Sequence, residues 1–343
     1  MSESYPLSRP LISVALSPKT QADRWKLLQA LSDLVQQDPA IKVESESGNG
    51  PILISGTSDL QLETICARIV QEYKIELDAS ESRIIYLETI CKRAEAEGTY
   101  ARQTNGLRNY AHVALRLEPR EPGSGYQFVD ETTGDTIPSK FVESASMGIQ
   151  RALKGGILAG YEMVDLRAVL YDGNYHVTDS NEIAFQIAAS MAFKEAARKA
   201  GPLLLEPVMS VEVVVPEEYL GNIIGDLNER RGRIEDLETR AHSQVLHAVV
   251  PLAELFAYEK HLRSSTQGMA SHSMHFVRYE PAPRRGRPGD DEAGIMSNKP
   301  RAQERGLAPL LPGWTSTPND REFRDAISRY LILEKVDNRW KGQ

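Results

Sequence analysis

The residues best suited to chemistry lie on a short polar stretch between a predicted strand and a predicted helix. Asp172-Gly173-Asn174 favour a tight turn, and Tyr175 and His176 follow directly. An exposed aromatic ring and an imidazole can stack on RNA bases and hydrogen-bond to base edges or phosphates. One exposed histidine is weak evidence by itself, because such a residue is more often simply solvated. The stretch is therefore the first candidate site, with a solvated loop as the alternative.

A helix after this stretch should hold it in place. Asp179 and Glu182 match the capping-box pattern at a helix start. The next residues are apolar on almost every side of a helix, where alanines separate Ile183, Phe185, Ile187, Met191 and Phe193. A helix of this kind is predicted to be buried, so we expect Met191 and Phe193 to be core residues rather than cofactor contacts.

A second polar loop contains Arg102 and Arg108, which flank Asn105-Gly106. Its ordinary interpretation is a hairpin turn between charged residues. The runs on either side of this loop are rich in strand-forming residues, as is the run before Asp172. If these strands lie side by side, the two loops meet, and Arg102, Arg108 and His176 share one RNA-facing surface.

The last third of the chain has a further basic cluster. Arg230, Arg231 and Arg233 lie at a predicted helix-to-strand turn, where guanidinium groups suit phosphate contacts. Downstream side chains supply more donors for phosphate oxygens, namely Arg263, Ser264, Ser265 and Thr266. The alternative is solvated charge at a helix end, and the residues alone favour neither interpretation.

Composition limits the other classes of function. The net charge of −8 gives no overall signal for nucleic acid, although a basic patch can stand on an acidic body. Cys66 and Cys91 lack metal-ligand spacing, and the histidines are dispersed without zinc spacing, so no metal is expected. Three acidic residues lie near Gly134, namely Asp130, Glu131 and Asp135. Their spacing is poor for metal ligands and favours a polar turn. The sequence has no apolar run of about 18 residues and no signal peptide at its start, so we expect a cytoplasmic protein with no membrane contact.

Hydrophobic patterning places these candidates in an α+β chain. Residues 11–77 follow the order βαββαβ, with a first helix from about Gln21 to Gln37 whose apolar side includes Trp25. The same order recurs from Met209 to Tyr279, so two split βαβ units are predicted. The region between them alternates two helices with long β-rich runs, which are Ile84–Lys92, Tyr110–Leu117 and Val164–Tyr171.

Five motifs stand in order along the chain, and they read DGNYH with DSNE at 172–182, VPEEYLG at 215–221, GDLNERRGRI at 225–234, VPLAELF at 250–256 and LRSSTQG at 262–268. In this order they resemble the carboxy-terminal half of bacterial elongation factor G, from about Pro10 to Pro283. Any one of them is weak, and together they are specific.

The resemblance implies domains III to V of that family. It predicts two ferredoxin-like split βαβ domains, at residues 1–82 and 207–281, flanking a central domain at 83–206. The central domain would be ribosomal-protein-like, of the left-handed βαβ type. A linker at 282–318, rich in proline, arginine and glycine, and an amphipathic helix at 319–343 have no family counterpart.

The resemblance also assigns contacts. In the family, the tip of the central domain contacts tRNA and mRNA. The residues of this chain that match the tip are Arg102, Asn105, Gly106, Arg108, Gly173, Asn174, Tyr175 and His176. The last domain of the family approaches rRNA, and the matching residues here are Arg230, Arg231, Arg233, Arg263, Ser264, Ser265 and Thr266. Such binding should weaken steeply with salt. We also expect His176→Ala combined with Arg231→Ala to leave folding intact and to reduce ribosome binding.

No phosphate-loop motif Gly-x-x-x-x-Gly-Lys-[Ser/Thr] occurs in the sequence. We therefore expect no GTPase domain in this chain, no GTP or other cofactor, and no enzymatic activity. The ribosome is the expected partner, on which the chain would act either by occupancy alone or with a separate GTPase polypeptide that supplies the missing half. Departures from the family pattern include GTSDLQLE at 56–63, where GMGELHLE is usual, a first tip loop that follows GGRGQYGH only loosely, and Leu87 where arginine is common. Two alternatives stay open: an autonomous enzyme on a split βαβ scaffold, and a folded, non-functional gene fragment.

Overall fold

The computed structural model describes residues 9–45, 50–104, 107–133, 136–240 and 243–283. The chain divides into two compact units, one of which is Pro10–Arg83 and the other of which continues from Ile84. The predicted linker and terminal helix lie outside the described residues from position 284 onward, as do Asn105, Gly106, Asp135 and His242. Among the described helices, none is long and apolar enough to cross a membrane.

The first unit is a split βαβ domain. Its elements are β1 (Ile12–Pro18), α1 (Gln21–Gln37), β2 (Lys42–Ser45), β3 (Ile52–Gly56), α2 (Asp59–Tyr73) and β4 (Leu77–Ala79), and a two-residue strand β5 (Arg83–Ile84) also pairs with β1. The sheet order is β2-β3-β1-β4, which is that of a ferredoxin-like fold. Side-chain oxygens of Thr20 and Ser58 cap the two helices. Trp25 was predicted on the apolar side of α1, but its side chain is 76% exposed.

The central sheet is built from a long hairpin and a parallel crossover. Its elements are β7 (Ala94–Thr104), β8 (Leu107–Pro119), β9 (Tyr126–Asp130), α3 (Ser139–Lys154), β10 (Leu166–Asn174) and α4 (Glu182–Lys199). The order is β7-β8-β10-β9, and α3 connects the parallel pair β9 and β10. Arg102 and Arg108 therefore lie on paired strands of the hairpin rather than in a broad loop.

Helices α3 and α4 cover one face of this sheet through close contacts. Phe141 and Phe185 stack with ring centroids 4.5 Å apart. A Cβ on Gly148 would stand 2.2 Å from the carbonyl oxygen of Gln186, so only glycine lets α3 approach α4 this closely. The prediction that α4 is buried on every side is wrong, because Met191 is 48% exposed while Phe193 is fully buried.

The last sheet repeats the ferredoxin-like order. Its elements are β11 (Pro202–Pro216), a 3-10 turn (Glu217–Tyr219), α5 (Leu220–Glu229), β12 (Arg233–Arg240), β13 (Ser243–Pro251), a 3-10 turn (Leu252–Glu254), α6 (Tyr258–Ser265) and β14 (Ser271–Pro281). The order is β12-β13-β11-β14. The α+β class with two split βαβ domains around a different central domain is thus confirmed, whereas the exact boundaries at 82, 206 and 281 stay predictions.

One strand from the predicted central region belongs to the last sheet. β6 (Leu87–Ile90) pairs antiparallel with the first residues of β11. Its Glu88 is fully buried and accepts hydrogen bonds from five successive backbone N–H groups, those of residues 157–161, at 2.5–3.1 Å. This carboxylate thus satisfies its own oxygens and also the N–H groups of a loop that belongs to no helix or strand. Glu88 therefore ties the loop after α3 to β6, the strand that pairs with β11.

Candidate nucleic-acid interface

The tip begins where β10 ends. Asp172-Gly173-Asn174 was predicted to form a turn, but these residues continue β10, with an irregularity in the pairing between Leu170 and Asp172. A Cβ on Gly173 would stand 2.4 Å from the Cδ1 atom of Ile137 and 2.6 Å from the carbonyl oxygen of His112. Gly173 therefore allows close packing behind the tip, and Asn174 is the exposed end of the strand.

Tyr175 turns toward the core rather than to solvent. It is half-buried against the hydrophobic cluster of the central domain, and its ring centroid lies 6.2 Å from that of Phe141. A ring held in this way supports the tip from beneath, so the expectation that Tyr175 offers an open stacking face is corrected.

His176 stands on a hydrogen-bonded turn and is exposed at the tip. Its side chain is 61% exposed, and its carbonyl oxygen accepts from the backbone N–H groups of Asp179 at 3.3 Å and Ser180 at 3.0 Å. Val177, next to it, is 87% exposed. An apolar side chain this open is unusual inside a polar turn, and sequence reasoning missed it because no pattern distinguishes Val177 from a buried valine.

The helix after the tip starts later than predicted. The cap of α4 is Asn181, whose side-chain oxygen accepts from the N–H of Ala184 at 2.9 Å. Asp179 is instead part of the turn, where it accepts from the Thr178 hydroxyl at 2.8 Å. The helix cap therefore lies two residues after the predicted one, and the side chain of Asp179 interacts with the tip turn instead of with the helix.

The structure brings the tip turn and the β7–β8 hairpin together. The N–H of Tyr110, on β8, donates to the carbonyl of Asp179 at 2.8 Å. The Ser180 hydroxyl donates to the carbonyl of Tyr110 at 2.6 Å and accepts from the N–H of His176 at 2.9 Å. Asn181 also bonds Asn109 through their side-chain amides. The described part of the hairpin and the tip thus form one hydrogen-bonded end of the central domain, with Arg108 exposed on it.

The basic cluster of the last domain sits on a helix end with a defined geometry. Arg231 has a left-handed backbone (φ 59°), and the N–H of Gly232 donates to the carbonyl of Leu227 at 2.7 Å, which ends α5 in a Schellman motif. A Cβ on Gly232 would stand 2.6 Å from that carbonyl oxygen. The close approach at this turn therefore requires glycine at position 232.

Carboxylates already occupy the guanidinium groups of this cluster. Arg231 binds Glu206 through both terminal nitrogens, at 2.7 and 2.9 Å, and Glu254 at 2.9 Å. Hydrogen bonding to Glu206 outweighs the effect of burial and raises the pKa of Arg231 above its ordinary value. Arg230 binds Asp226 at 3.0 Å and packs over the ring of Tyr258. The main role of these two arginines is therefore to stabilise the domain.

Arg233 is more exposed but is also paired. Its side chain is 59% exposed and contacts Glu280 at 2.5 Å. Burial opposes ionisation of Glu280, yet hydrogen bonds from Arg233 and Arg278 outweigh it and hold the pKa of that carboxyl below its ordinary value. An exposed ion pair of this kind is weak and can exchange for a phosphate contact.

The donors on α6 differ in how accessible they are. Arg263 is 73% exposed and pairs with Glu259 at 3.0 Å, and Ser264 is exposed. Ser265 is half-buried and donates to the carbonyl of Leu262. Thr266 is fully buried, and its hydroxyl donates to the same carbonyl at 2.7 Å. Thr266 cannot reach an external phosphate, which corrects the prediction for this residue.

The described residues hold no group of three or more histidine, cysteine, aspartate or glutamate side chains arranged for a metal ion. Asp130 accepts from Thr132, and Glu131 pairs with Arg116. These acidic residues therefore have structural partners.

Comparison with known proteins divides the chain into three successive regions, as the fold does. Residues 7–81 match the family model of elongation factor G domain III, residues 82–215 match that of domain IV, and residues 203–286 match that of the elongation factor G C-terminus. A crystal structure of a Thermus thermophilus protein is similar to this chain with 39% identity and a TM-score of 0.64. The similarity covers 86% of this chain and 43% of that one, so the chain spans less than half the length of this relative.

Proposed function

Because the chain belongs to the elongation factor G family, through its domains III, IV and the C-terminal domain, we propose that it is a translation factor that acts by binding the ribosome. The observation that carries this proposal is the uninterrupted order of three family matches between residues 7 and 286. Binding modules in this order would position a tip at one RNA and a basic surface at another.

We assign the contact with tRNA and mRNA to the end of the central domain. Beyond β10, the side chains of His176 and Val177 are 61% and 87% exposed, and Asn174 is exposed beside them. Arg102 and Arg108 lie on the adjoining hairpin, and Asn105 and Gly106, which are outside the described residues, stand between them in the sequence. Exposed side chains that sit on a hydrogen-bonded base can contact RNA without losing much conformational freedom.

We assign the contact with rRNA to three exposed donors of the last domain, Arg263, Ser264 and Arg233. Arg230 and Arg231 contribute indirectly, because they hold the end of α5, after which the chain continues into Arg233 at the start of β12. A surface of this kind makes mostly phosphate contacts, so its affinity should fall steeply as salt rises.

The matched domains of the family do not include its GTPase domain. We propose that this chain carries no cofactor and no catalytic activity of its own, and that a GTPase polypeptide, if one takes part, acts with it on the ribosome in the cytoplasm.

Co-sedimentation of the purified chain with 70S ribosomes tests the proposal, at low and moderate salt and with and without GTP. We expect binding that weakens with salt and is indifferent to GTP. His176→Ala and Arg263→Ala should each weaken it, whereas Lys19→Ala, which removes an exposed cation from the first unit, should not. A well-folded chain that fails to bind ribosomes at low salt overturns the proposal.

A further inference from the structure

The tip turn determines which ring nitrogen of His176 carries the proton. The Nδ1 atom of His176 lies 3.0 Å from the Thr178 hydroxyl oxygen and 3.6 Å from the Oδ2 atom of Asp179. The Thr178 hydroxyl also lies 2.8 Å from the Oδ1 atom of Asp179. These three side chains form a closed triangle on one side of the imidazole.

The triangle has one consistent arrangement of hydrogens. An ionised carboxylate can only accept, and a hydroxyl has a single proton to donate. The contact with the carboxylate is the shorter of the two hydroxyl contacts and is charge-assisted, which makes it roughly twice as strong as a neutral bond. Thr178 therefore donates to Asp179 and accepts from His176, which requires the proton on Nδ1. The negative charge of Asp179 beside Nδ1 favours the same tautomer.

We propose that His176 presents a bare Nε2 atom at the tip, so that in its neutral form it accepts a hydrogen bond from RNA. This inference rests on the proposed ribosome contact and specifies its chemistry. A neutral acceptor selects hydrogen-bond donors, which in RNA are the ribose 2′-hydroxyl and the N–H groups of base edges. It does not bind phosphate oxygens, which only accept. Thr178 and Asp179 are then positioning residues that set the specificity of His176.

The same end of the domain supports this role. Ser180 holds the backbone N–H of His176 at 2.9 Å and is itself fixed to Tyr110 on β8. The imidazole is thus held at its backbone and at Nδ1, and Nε2 has no hydrogen-bond partner among the described residues. A fixed acceptor of this kind can distinguish an RNA donor by geometry as well as by charge.

The first test needs no ribosome and therefore separates this inference from the proposed function. Chain with ¹⁵N-labelled histidine is studied by NMR at about pH 9, where imidazoles are neutral. The two-bond correlations between ring protons and nitrogens identify the tautomer, and the His176→Ala variant assigns the signals. We expect the proton of His176 on Nδ1. A proton on Nε2 overturns the inference.

Two variants identify the cause. Thr178→Val keeps the branched shape and removes the hydroxyl, so the tautomer population should shift toward Nε2–H. Thr178→Ser retains a hydroxyl and should keep the proton on Nδ1. An Nδ1–H tautomer that survives unchanged in Thr178→Val contradicts the positioning role of Thr178.

The second test identifies the donor on ribosomes that carry a tRNA anticodon stem-loop and mRNA at the decoding site. Replacing each nearby 2′-hydroxyl by hydrogen, or each nearby base by an analogue that lacks its N–H donors (inosine for the amino group of guanosine), removes one class of donor at a time. Loss of the true donor should weaken binding of the unmodified chain by about tenfold, as expected for one hydrogen bond, and leave the weaker binding of His176→Ala unchanged. If the chain binds ribosomes but neither replacement affects it differently from His176→Ala, recognition of a donor by His176 is excluded.

Discussion

The guanidinium of Arg231 binds the carboxylate of Glu206 at two points, with Nη1–Oε1 and Nη2–Oε2 distances of 2.7 and 2.9 Å. Glu206 is only 5% exposed and belongs to β11, whereas Arg231 lies at the end of α5. The pair thus joins a helix end to the central strand of its sheet. A role in holding the domain together replaces the role in phosphate binding that the sequence suggested.

Arg231→Ala should destabilise the protein, contrary to the expectation from the sequence that this change leaves folding intact. The change leaves the buried carboxylate of Glu206 unpaired, and we expect a loss of about 2 kcal/mol, a figure reduced from the full cost for a buried pair because Arg231 is partly exposed. Urea unfolding followed by circular dichroism measures it. Arg240→Ala is the control, because its ion pair with Glu238 is exposed on β12 and should contribute almost nothing. Equal midpoints for the two variants would exclude the structural role.

Glu88→Gln should loosen the loop at residues 157–161. An amide offers one acceptor oxygen where the carboxylate offers two, and its NH₂ group faces backbone donors, so we expect a cost of about 3 kcal/mol. Hydrogen exchange measured by mass spectrometry should show faster exchange in this loop. Glu95→Gln changes a carboxylate that is paired with the exposed Arg93 and serves as the control. Unchanged protection of the loop in Glu88→Gln would contradict the proposed tie.

Two glycines in helices should respond in opposite directions to alanine. Gly148→Ala forces a methyl group against the backbone of Gln186, and we expect a loss of about 2 kcal/mol from overpacking. A Cβ added to Gly225 in α5 would meet no atom within 4 Å, so Gly225→Ala should stabilise the protein by about 0.5–1 kcal/mol through helix propensity. Thermal unfolding of both variants tests this. A stabilising Gly148→Ala would show that α3 and α4 lie farther apart than described.

Ser180→Ala should loosen the tip with little effect on the whole protein. The hydroxyl bonds both His176 and Tyr110, so its loss should speed exchange of the His176 amide proton by about tenfold, as for one lost hydrogen bond. NMR hydrogen exchange measures that amide directly. Ser264→Ala is the control, since the hydroxyl of Ser264 donates to the carbonyl of His261 in its own helix and, among the described residues, has no contact with the tip. An unchanged exchange rate at His176 would mean that Ser180 does not hold the tip.

Changing each of two buried tyrosines to phenylalanine should have different effects on the free energy of unfolding at neutral pH. The hydroxyl of Tyr258 is buried without a hydrogen-bond partner among the described residues, so Tyr258→Phe should be neutral or slightly stabilising at pH 7. The hydroxyl of Tyr279 donates to the carbonyl of Ile85 at 3.1 Å, so Tyr279→Phe should cost about 1 kcal/mol. Equal effects of the two changes on the unfolding midpoint would contradict the described hydrogen bonding.

Alkaline pH gives a further measurement on the same variant. Burial, with the nearby charge of Asp226, raises the pKa of Tyr258 from 10.0 to about 12. Because the folded state holds this proton more tightly than the unfolded state, stability is complete below about pH 10 and is lost as pH rises toward 12. Between pH 10 and pH 12, the Tyr258→Phe variant should therefore lose less stability than the unmodified chain, and the difference should reach about 2 kcal/mol near pH 12. Parallel stability curves for the variant and the unmodified chain would exclude the shift.

The sequence by itself determined the order of elements and the family. The period of apolar residues separates strands from helices, and two βαββαβ orders follow from it without knowledge of any contact. The five motifs depend only on residue identity and order, and the family matches agree with them. His176 could be selected in this way because a histidine beside turn residues is visible in the sequence.

Only the tertiary structure decided which side chains are available. Trp25 turns outward, Tyr175 turns inward and Thr266 is buried, because burial depends on what packs against each position rather than on the position's own pattern. Arg231 is engaged by Glu206, a partner 25 residues away that no local spacing reveals. The tautomer of His176 depends on Thr178 and Asp179, whose geometry exists only once α4 is capped at Asn181. Hydrogen bonds and ion pairs act over a few ångströms in space, and the chain brings these atoms together only by folding.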